Sequence, residues 1–189
     1  MARTESTMQA LGRPAPDFEL PDTLSGRSMR LDEIAGSKAT VVMFICNHCP
    51  FVKHILGGLV AFGRDHADSA DVGIAAISAN DVRGHPQDAP QFMKELAERA
   101  GFPFPYLYDE RQEVARSYGA ACTPDFFVFD GERKLAYRGR FDAATPGNDE
   151  PVTGAELRAA VDALRQGSAP DPDQRPSIGC NIKWKERNA

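Results

Sequence analysis

Cys46, Asn47, His48 and Cys49 set two thiols three residues apart. In the first turn of a helix that spacing puts both on one face, within reach of a disulfide. The flanking residues predict such a turn. Val41 to Ile45 is an apolar run that reads as a buried strand. Pro50 then opens a helix pattern with Val52, Ile55, Leu56 and Leu59 on one stripe. The Cys-x-x-Cys therefore lies where a central strand hands over to a helix N-terminus. Unpaired backbone N–H groups and the positive end of the helix dipole stabilise an anion there. A thiolate is such an anion, and cysteine pKa values in these motifs fall to roughly 3.5–7.5 from about 8.5. The chemistry predicted is thiol–disulfide exchange, with Cys46 and Cys49 as the redox pair.

The rest of the chain must hold that turn. At 189 residues it has room for one domain with additions, burying roughly 70% of its unfolded surface. Hydrophobic residues are 42% and charged residues 26%, an ordinary balance for a globular chain. A net charge of −5 without any basic cluster argues against nucleic acid as a partner. Four cysteines, only two of them closely spaced, do not make a disulfide scaffold at this length. The first 18 residues carry Arg3, Glu5, Gln9 and Arg13 and no apolar stretch, so no secretory signal is expected. No apolar run approaches membrane length, and the membrane is not an expected partner. A cytoplasmic location is the default expectation. In a reducing cytosol a Cys-x-x-Cys is catalytic or metal-binding more often than structural.

Residues 1–13 read as a flexible N-terminal tail, 14–167 as one domain, and 168–189 as a C-terminal tail packing on it. Phe18 to Leu20 and Ser28 to Leu31 read as short strands around a turn, followed by a helical turn ending before Gly36. Val72 to Ala79 is near-continuously apolar, as a strand covered on both faces should be. Ala89 to Ala100 is an amphipathic helix with Gly101 as its stop. Pro103 to Tyr108 allows a short extended piece, and Arg111 to Tyr118 a short helix before Gly119. Phe126 to Phe129, the turn signal Asp130-Gly131 and Leu135 to Arg140 predict a hairpin. Thr153 and Glu156 have capping-box spacing for a last helix ending at Gln166. Gly57-Gly58, inside the helix after the cysteines, predicts a bend or a close packing contact. This order predicts an α/β fold, a mixed central sheet with helices on both faces, with Val41–Ile45 and Val72–Ala79 as parallel neighbours.

Three separated motifs resemble the thioredoxin-fold superfamily. Cys46-Asn-His-Cys49-Pro50 follows a hydrophobic strand, Thr123-Pro124 precedes one, and a β-hairpin and terminal helix come after. The stretch from Ala15-Pro16-Asp17-Phe18 to Leu31, with the added strand and helix over 72–100, is similar to the peroxiredoxin-like and TlpA/ResA-like branch. Cys122-Thr-Pro-Asp-Phe-Phe-Val-Phe-Asp130 and Pro176-Ser-Ile-Gly-Cys-Asn-Ile-Lys-Trp184 narrow it to a largely bacterial group of peroxiredoxin-like thioredoxin-family proteins. The resemblance covers about residues 14–186. It implies that Cys46 is the nucleophile that forms a mixed disulfide, and that Cys49 resolves it. It implies a cis Pro124 that offers the Thr123 backbone to an extended substrate strand. Where thioredoxin proper has a Trp and a buried acid, this chain has Ile45 and Thr40, so the group that takes the Cys49 proton is unassigned. The peroxiredoxin pattern Pro-x-x-x-Thr-x-x-Cys, ended on Cys49, meets Val42 and Cys46 instead of Pro and Thr.

Three accessory candidates remain. A charged His48 between the cysteines favours a Cys46 thiolate; otherwise it is a loop histidine. Cys122 is a third redox or metal-binding sulfur, or a small buried residue behind the substrate loop. Cys180 is an additional resolving thiol carried in by a docked tail, or part of a tail that only covers an apolar groove. Lys53 and His54 read as a solvated face, and Asp17, Asp109 and Asp125 as strand-end or turn residues. The expected function is a thiol–disulfide oxidoreductase without an organic cofactor. Its partners would be a protein or small-molecule disulfide and a dithiol that supplies or takes the electrons. A zinc or Cu(I) module built on Cys46, Cys49 and one of His48, His54, Cys122 or Cys180 is one alternative. A redox sensor and a thiol peroxidase dependent on Cys49 are the others.

Overall fold

The computed structural model describes residues 3–186. Its first half contains β1 (Arg3–Glu5), β2 (Glu19–Pro21), β3 (Ser28–Arg30), α1 (Leu31–Ile34), β4 (Ala39–Phe44), α2 (Pro50–His66) and β5 (Val72–Ser78). Its second half contains α3 (Pro90–Ala100), β6 (Tyr106–Tyr108), α4 (Glu113–Tyr118), β7 (Cys122–Thr123), β8 (Asp125–Asp130), β9 (Leu135–Gly139), α5 (Ala155–Arg165) and β10 (Ile178–Asn181). The central sheet runs β6-β5-β4-β8-β9. β4 pairs parallel with β5 and antiparallel with β8, and β8–β9 is the hairpin expected around Asp130-Gly131.

Every residue of β4 and β5 is buried, because helices cover both faces of the sheet. Alternate side chains sort to opposite sides. Val41, Met43 and Ile45 pack with Val52, Ile55, Leu59 and Phe62 of α2 and with Leu157 and Val161 of α5. Val42 and Phe44 pack on the other side with Phe127, Phe129, Val114 and Tyr118. This is the expected mixed α/β architecture. Of the Gly57-Gly58 pair in α2, only Gly58 makes a close contact. A Cβ there would stand 2.7 Å from Val152 and 2.9 Å from Phe141, whereas one on Gly57 meets nothing within 4 Å.

Two expectations are corrected. Residues 3–13 are not a loose tail. β1 pairs antiparallel with β10, the Gln9 side chain donates to the Tyr118 carbonyl at 2.6 Å, and the Gly12 N–H donates to Leu135 at 2.7 Å. These are mostly backbone bonds made by polar residues, and such pairing leaves no hydrophobic pattern to read. The capping box at Thr153 and Glu156 is also absent. Gly154 caps α5, Asp142 accepts from the Thr153 and Gly154 N–H groups at 2.7 and 2.6 Å, and Glu156 pairs with Arg140. The C-terminal segment contributes β10, the middle strand of a second sheet, β1-β10-β7.

Candidate active site

β4 and β5 are parallel, so the loops leaving their C-terminal ends lie side by side. The first carries Cys46 to Cys49, and the second runs from Asn80 to Asp88. Clefts at such strand ends are where α/β sheets place their chemistry. Asp88 joins the two loops. Its carboxylate is fully buried and accepts from the N–H groups of Asn47 (2.8 Å) and His48 (3.2 Å), from Asn80 Nδ2 (2.8 Å) and from His48 Nδ1 (2.6 Å). Burial alone would raise this carboxyl. Hydrogen bonds from His48 and Asn80 outweigh it and hold Asp88 below its ordinary value, so it is ionised. Tyr106 Oη donates to Asn47 Oδ1 at 3.1 Å and braces the loop from β6.

Three sulfurs meet at the N-terminus of α2, where Cys49 is the N-cap and Pro50 the first helical residue. Cys46 Sγ is 3.3 Å from Thr123 Oγ1 and 3.8 Å from His48 Nδ1. Cys49 Sγ is 3.1 Å from the Thr123 carbonyl oxygen and 3.0 Å from Cys180 Sγ. None of the four cysteines is in a disulfide. Within the Cys46–Cys49 pair the negative charge settles on Cys49. The hydrogen bond from Cys46 lowers its pKa most, against burial, and donation from Cys180 and the Val52 N–H lowers it further, to about 5. Cys46 is pushed up because its proton is engaged with Cys49, because it is buried, and because Asp88 is near.

A family model, AhpC/TSA, matches residues 11–138. The chain belongs to the AhpC/TSA family. A thiol-disulfide oxidoreductase ResA of Geobacillus kaustophilus (strain HTA426) is 30% identical over 141 residues, 72% of this chain and 74% of that protein. The crystal structure of an uncharacterized conserved protein from Geobacillus kaustophilus is 50% identical, with a TM-score of 0.97 over 100% of this chain and 99% of the other. That of a hypothetical protein from Sinorhizobium meliloti 1021 is 47% identical, with a TM-score of 0.93 over 97% and 99%. A putative thioredoxin from Neisseria meningitidis, 19% identical with a TM-score of 0.62 over 82% and 91%, shares the fold. The family match ends before α5, so Cys180 lies outside the matched stretch.

The structure brings Cys46, Cys49, His48, Thr123, Pro124 and Cys180 to one place in this AhpC/TSA chain. The Thr123–Pro124 bond is cis, and the Thr123 edge that a substrate strand would use is taken by β10, with Cys180 opposite Thr123. His48 lies between Cys46 and Asp88. Its Nδ1 stands nearer to Asp88 than to Cys46, so its proton goes to the carboxylate. Cys122 is fully buried, with its thiol 3.5 Å from the Pro124 carbonyl oxygen, and burial pushes its pKa up. His54 and Lys53 are exposed on α2. Asp125 is ion-paired with buried Arg138 and accepts from the Ala121 N–H at 3.1 Å, which steadies the start of β7.

Sequence reasoning missed Asp88. It is one more loop acid, between Pro86 and Pro90, until the parallel pairing of β4 and β5 is known. Cys46 Sγ, His48 Nδ1 and an Asp88 oxygen lie within 4.8 Å of one another, the spacing of a metal site. Both Asp88 oxygens already accept hydrogen bonds from the loops, so an ion there would have to displace them. Among the described residues, no helix is long and apolar enough to cross a membrane.

Proposed function

We propose that this chain is a thiol–disulfide oxidoreductase in which Cys46 attacks and Cys49 resolves. The observation that carries the reading is the placement of Cys46 and Cys49 at the N-terminus of α2, both sulfurs within 3.3 Å of Thr123 beside the cis Thr123–Pro124 bond. The identity to thiol-disulfide oxidoreductase ResA supports it. Cys46 precedes the helix, beside half-buried Asn47 and His48, whereas Cys49 Sγ is enclosed by Thr123 and Cys180. Both sulfurs are buried, so Cys46 meets a substrate disulfide only when the site opens.

The Cys49 thiolate takes the Cys46 proton as Cys46 bonds to one substrate sulfur. The other substrate sulfur leaves and takes that proton from Cys49. Cys49, again a thiolate, attacks Cys46 Sγ and forms the Cys46–Cys49 disulfide. The second substrate thiolate departs and is protonated from solvent. The leaving substrate sulfur takes the Cys49 proton, so this route needs no separate acid at the Thr40 position. Substrate gains two electrons, the pair loses two, and a partner dithiol restores it. No organic cofactor is required. The cytoplasmic location belongs to this proposal, as does a protein or small-molecule disulfide as substrate.

Incubation of Cys49→Ser with a disulfide peptide tests the order of the cysteines. A mixed disulfide trapped on Cys46 is the expected result. Trapping on Cys49 in Cys46→Ser, and none on Cys46, would reverse the roles. The lowered pKa of Cys49 also favours a second reading, thiol peroxidase. There Cys49 would attack a hydroperoxide, release the alcohol or water as a sulfenic acid forms, and condense with Cys46 to the same disulfide plus water. Hydroperoxide consumption that Cys49→Ser abolishes distinguishes it.

A further inference from the structure

β10 approaches β7 very closely. A Cβ built on Gly179 would stand 2.0 Å from the Thr123 carbonyl oxygen, so glycine alone lets the strand lie there. β1 holds its other edge, with Arg3 opposite Cys180. Beyond β10, the Lys183 N–H donates to Asn80 Oδ1 at 2.8 Å, and Asn80 in turn binds Asp88. The strand is thus fastened to both loops of the site. It delivers Cys180 Sγ to 3.0 Å from Cys49 Sγ. Reacting atoms poised for attack stand about 3–3.5 Å apart. Cys49 therefore has two sulfur neighbours, and the mechanism above uses only one.

We propose that Cys180 is a third redox thiol, which takes Cys49 over from Cys46 by internal exchange. The proposal rests on the reading of Cys46 and Cys49 as the redox pair. The Cys180 thiolate attacks Cys49 Sγ of the Cys46–Cys49 disulfide. The Cys49–Cys180 bond forms as the Cys46–Cys49 bond breaks. Cys46 leaves as a thiolate and receives the proton that Cys180 gave up. No oxidant or reductant is consumed. The disulfide passes to the tail strand, ties β10 to the start of α2, and returns Cys46 to its reduced form.

The Cys180 ionisation that this step needs is held back in the reduced protein and eased once the Cys46–Cys49 disulfide has formed. In the reduced protein, burial, the hydrogen bond to Cys49 and the charge of Cys49 push Cys180 up to about 12, while Lys183 lowers it. Once Cys49 is in a disulfide its charge is gone and Lys183 remains, so Cys180 ionises more readily.

The test is non-reducing peptide mapping of acid-quenched, alkylated protein poised in graded glutathione buffers. Wild type, Cys46→Ser and Cys180→Ser are compared. Wild type is expected to contain both Cys46–Cys49 and Cys49–Cys180 linkages, with Cys46 alkylated in the second form. Cys46→Ser should form Cys49–Cys180, and Cys180→Ser only Cys46–Cys49. A tenfold preference for Cys49–Cys180 makes wild type more reducing than Cys180→Ser by about 30 mV, whereas a merely structural Cys180 would leave the linkage map unchanged. Absence of Cys49–Cys180 at every poise, with Cys46–Cys49 formed, overturns the exchange and leaves the redox pair standing. Absence of both linkages in wild type overturns the pair, and the exchange with it.

Discussion

Replacing Cys46 by alanine should raise the pKa of Cys49 more than replacing Cys180 does. Cys49 is held at about 5 by the Cys46 hydrogen bond first, with Cys180, Val52 and Thr123 adding to it against burial. A hydrogen bond to a charged group is worth about 1.5–3 kcal/mol, and a thiol is a weak donor, so the low end applies. At about 1.4 kcal/mol per pH unit, Cys46→Ala moves the Cys49 midpoint up by about one unit. Cys180→Ala moves it by less, and Cys49→Ala removes the acid step altogether. The assay is the ultraviolet thiolate absorbance of the reduced protein against pH, with the oxidised protein as reference. If Cys49→Ala keeps the acid step and Cys46→Ala loses it, the charge sits on Cys46 and the proton-sharing argument fails.

The same shift makes stability depend on pH. The folded pKa of Cys49 is depressed from 9.0 to about 5, so its contribution is present above the unfolded value and is lost as pH falls through the folded one. Between those limits the reduced protein should lose up to about 1.4 kcal/mol per pH unit on acidification. The disulfide form should not, and urea denaturation of both forms checks this; identical slopes would contradict it. Gly179→Ala places a Cβ against the Thr123 carbonyl, and an overpacking cost of about 1–3 kcal/mol should favour opening of β10. Alkylation of Cys46 and Cys49 should then quicken by about ten- to a hundredfold; an unchanged rate would mean that β10 does not cover them. Gly57→Ala should stabilise by about 0.5–1 kcal/mol, since its Cβ meets open space on an exposed helix face. Gly58→Ala, facing Val152 and Phe141, should destabilise by about 1–3 kcal/mol, read by thermal unfolding.

What the sequence disclosed follows from where side chains carry the information. The uninterrupted apolar runs of β4 and β5 announce a sheet covered on both faces. The Cys-x-x-Cys announces its chemistry because spacing alone puts both thiols in one helical turn. Asp88 stayed hidden because its role depends on two loops being neighbours, which only the pairing of β4 with β5 decides. β1 stayed hidden because Arg3, Thr4 and Glu5 contribute mainly backbone to the β1-β10-β7 sheet. The place of Cys180 against Cys49 turns on the missing side chain of Gly179, which in sequence is one small residue in a polar tail. The partner of His48 stayed hidden for the same reason as Asp88: it is 40 residues away in the chain.

The most direct measurement is the redox titration of the Cys46–Cys49 pair, by thiol alkylation and mass mapping across graded dithiothreitol or glutathione buffers. A two-electron transition that includes a Cys46–Cys49 disulfide, within the range of about −270 to −120 mV spanned by natural dithiol catalysts, is predicted. Failure of Cys46 and Cys49 to form a disulfide at any accessible potential would contradict the oxidoreductase reading.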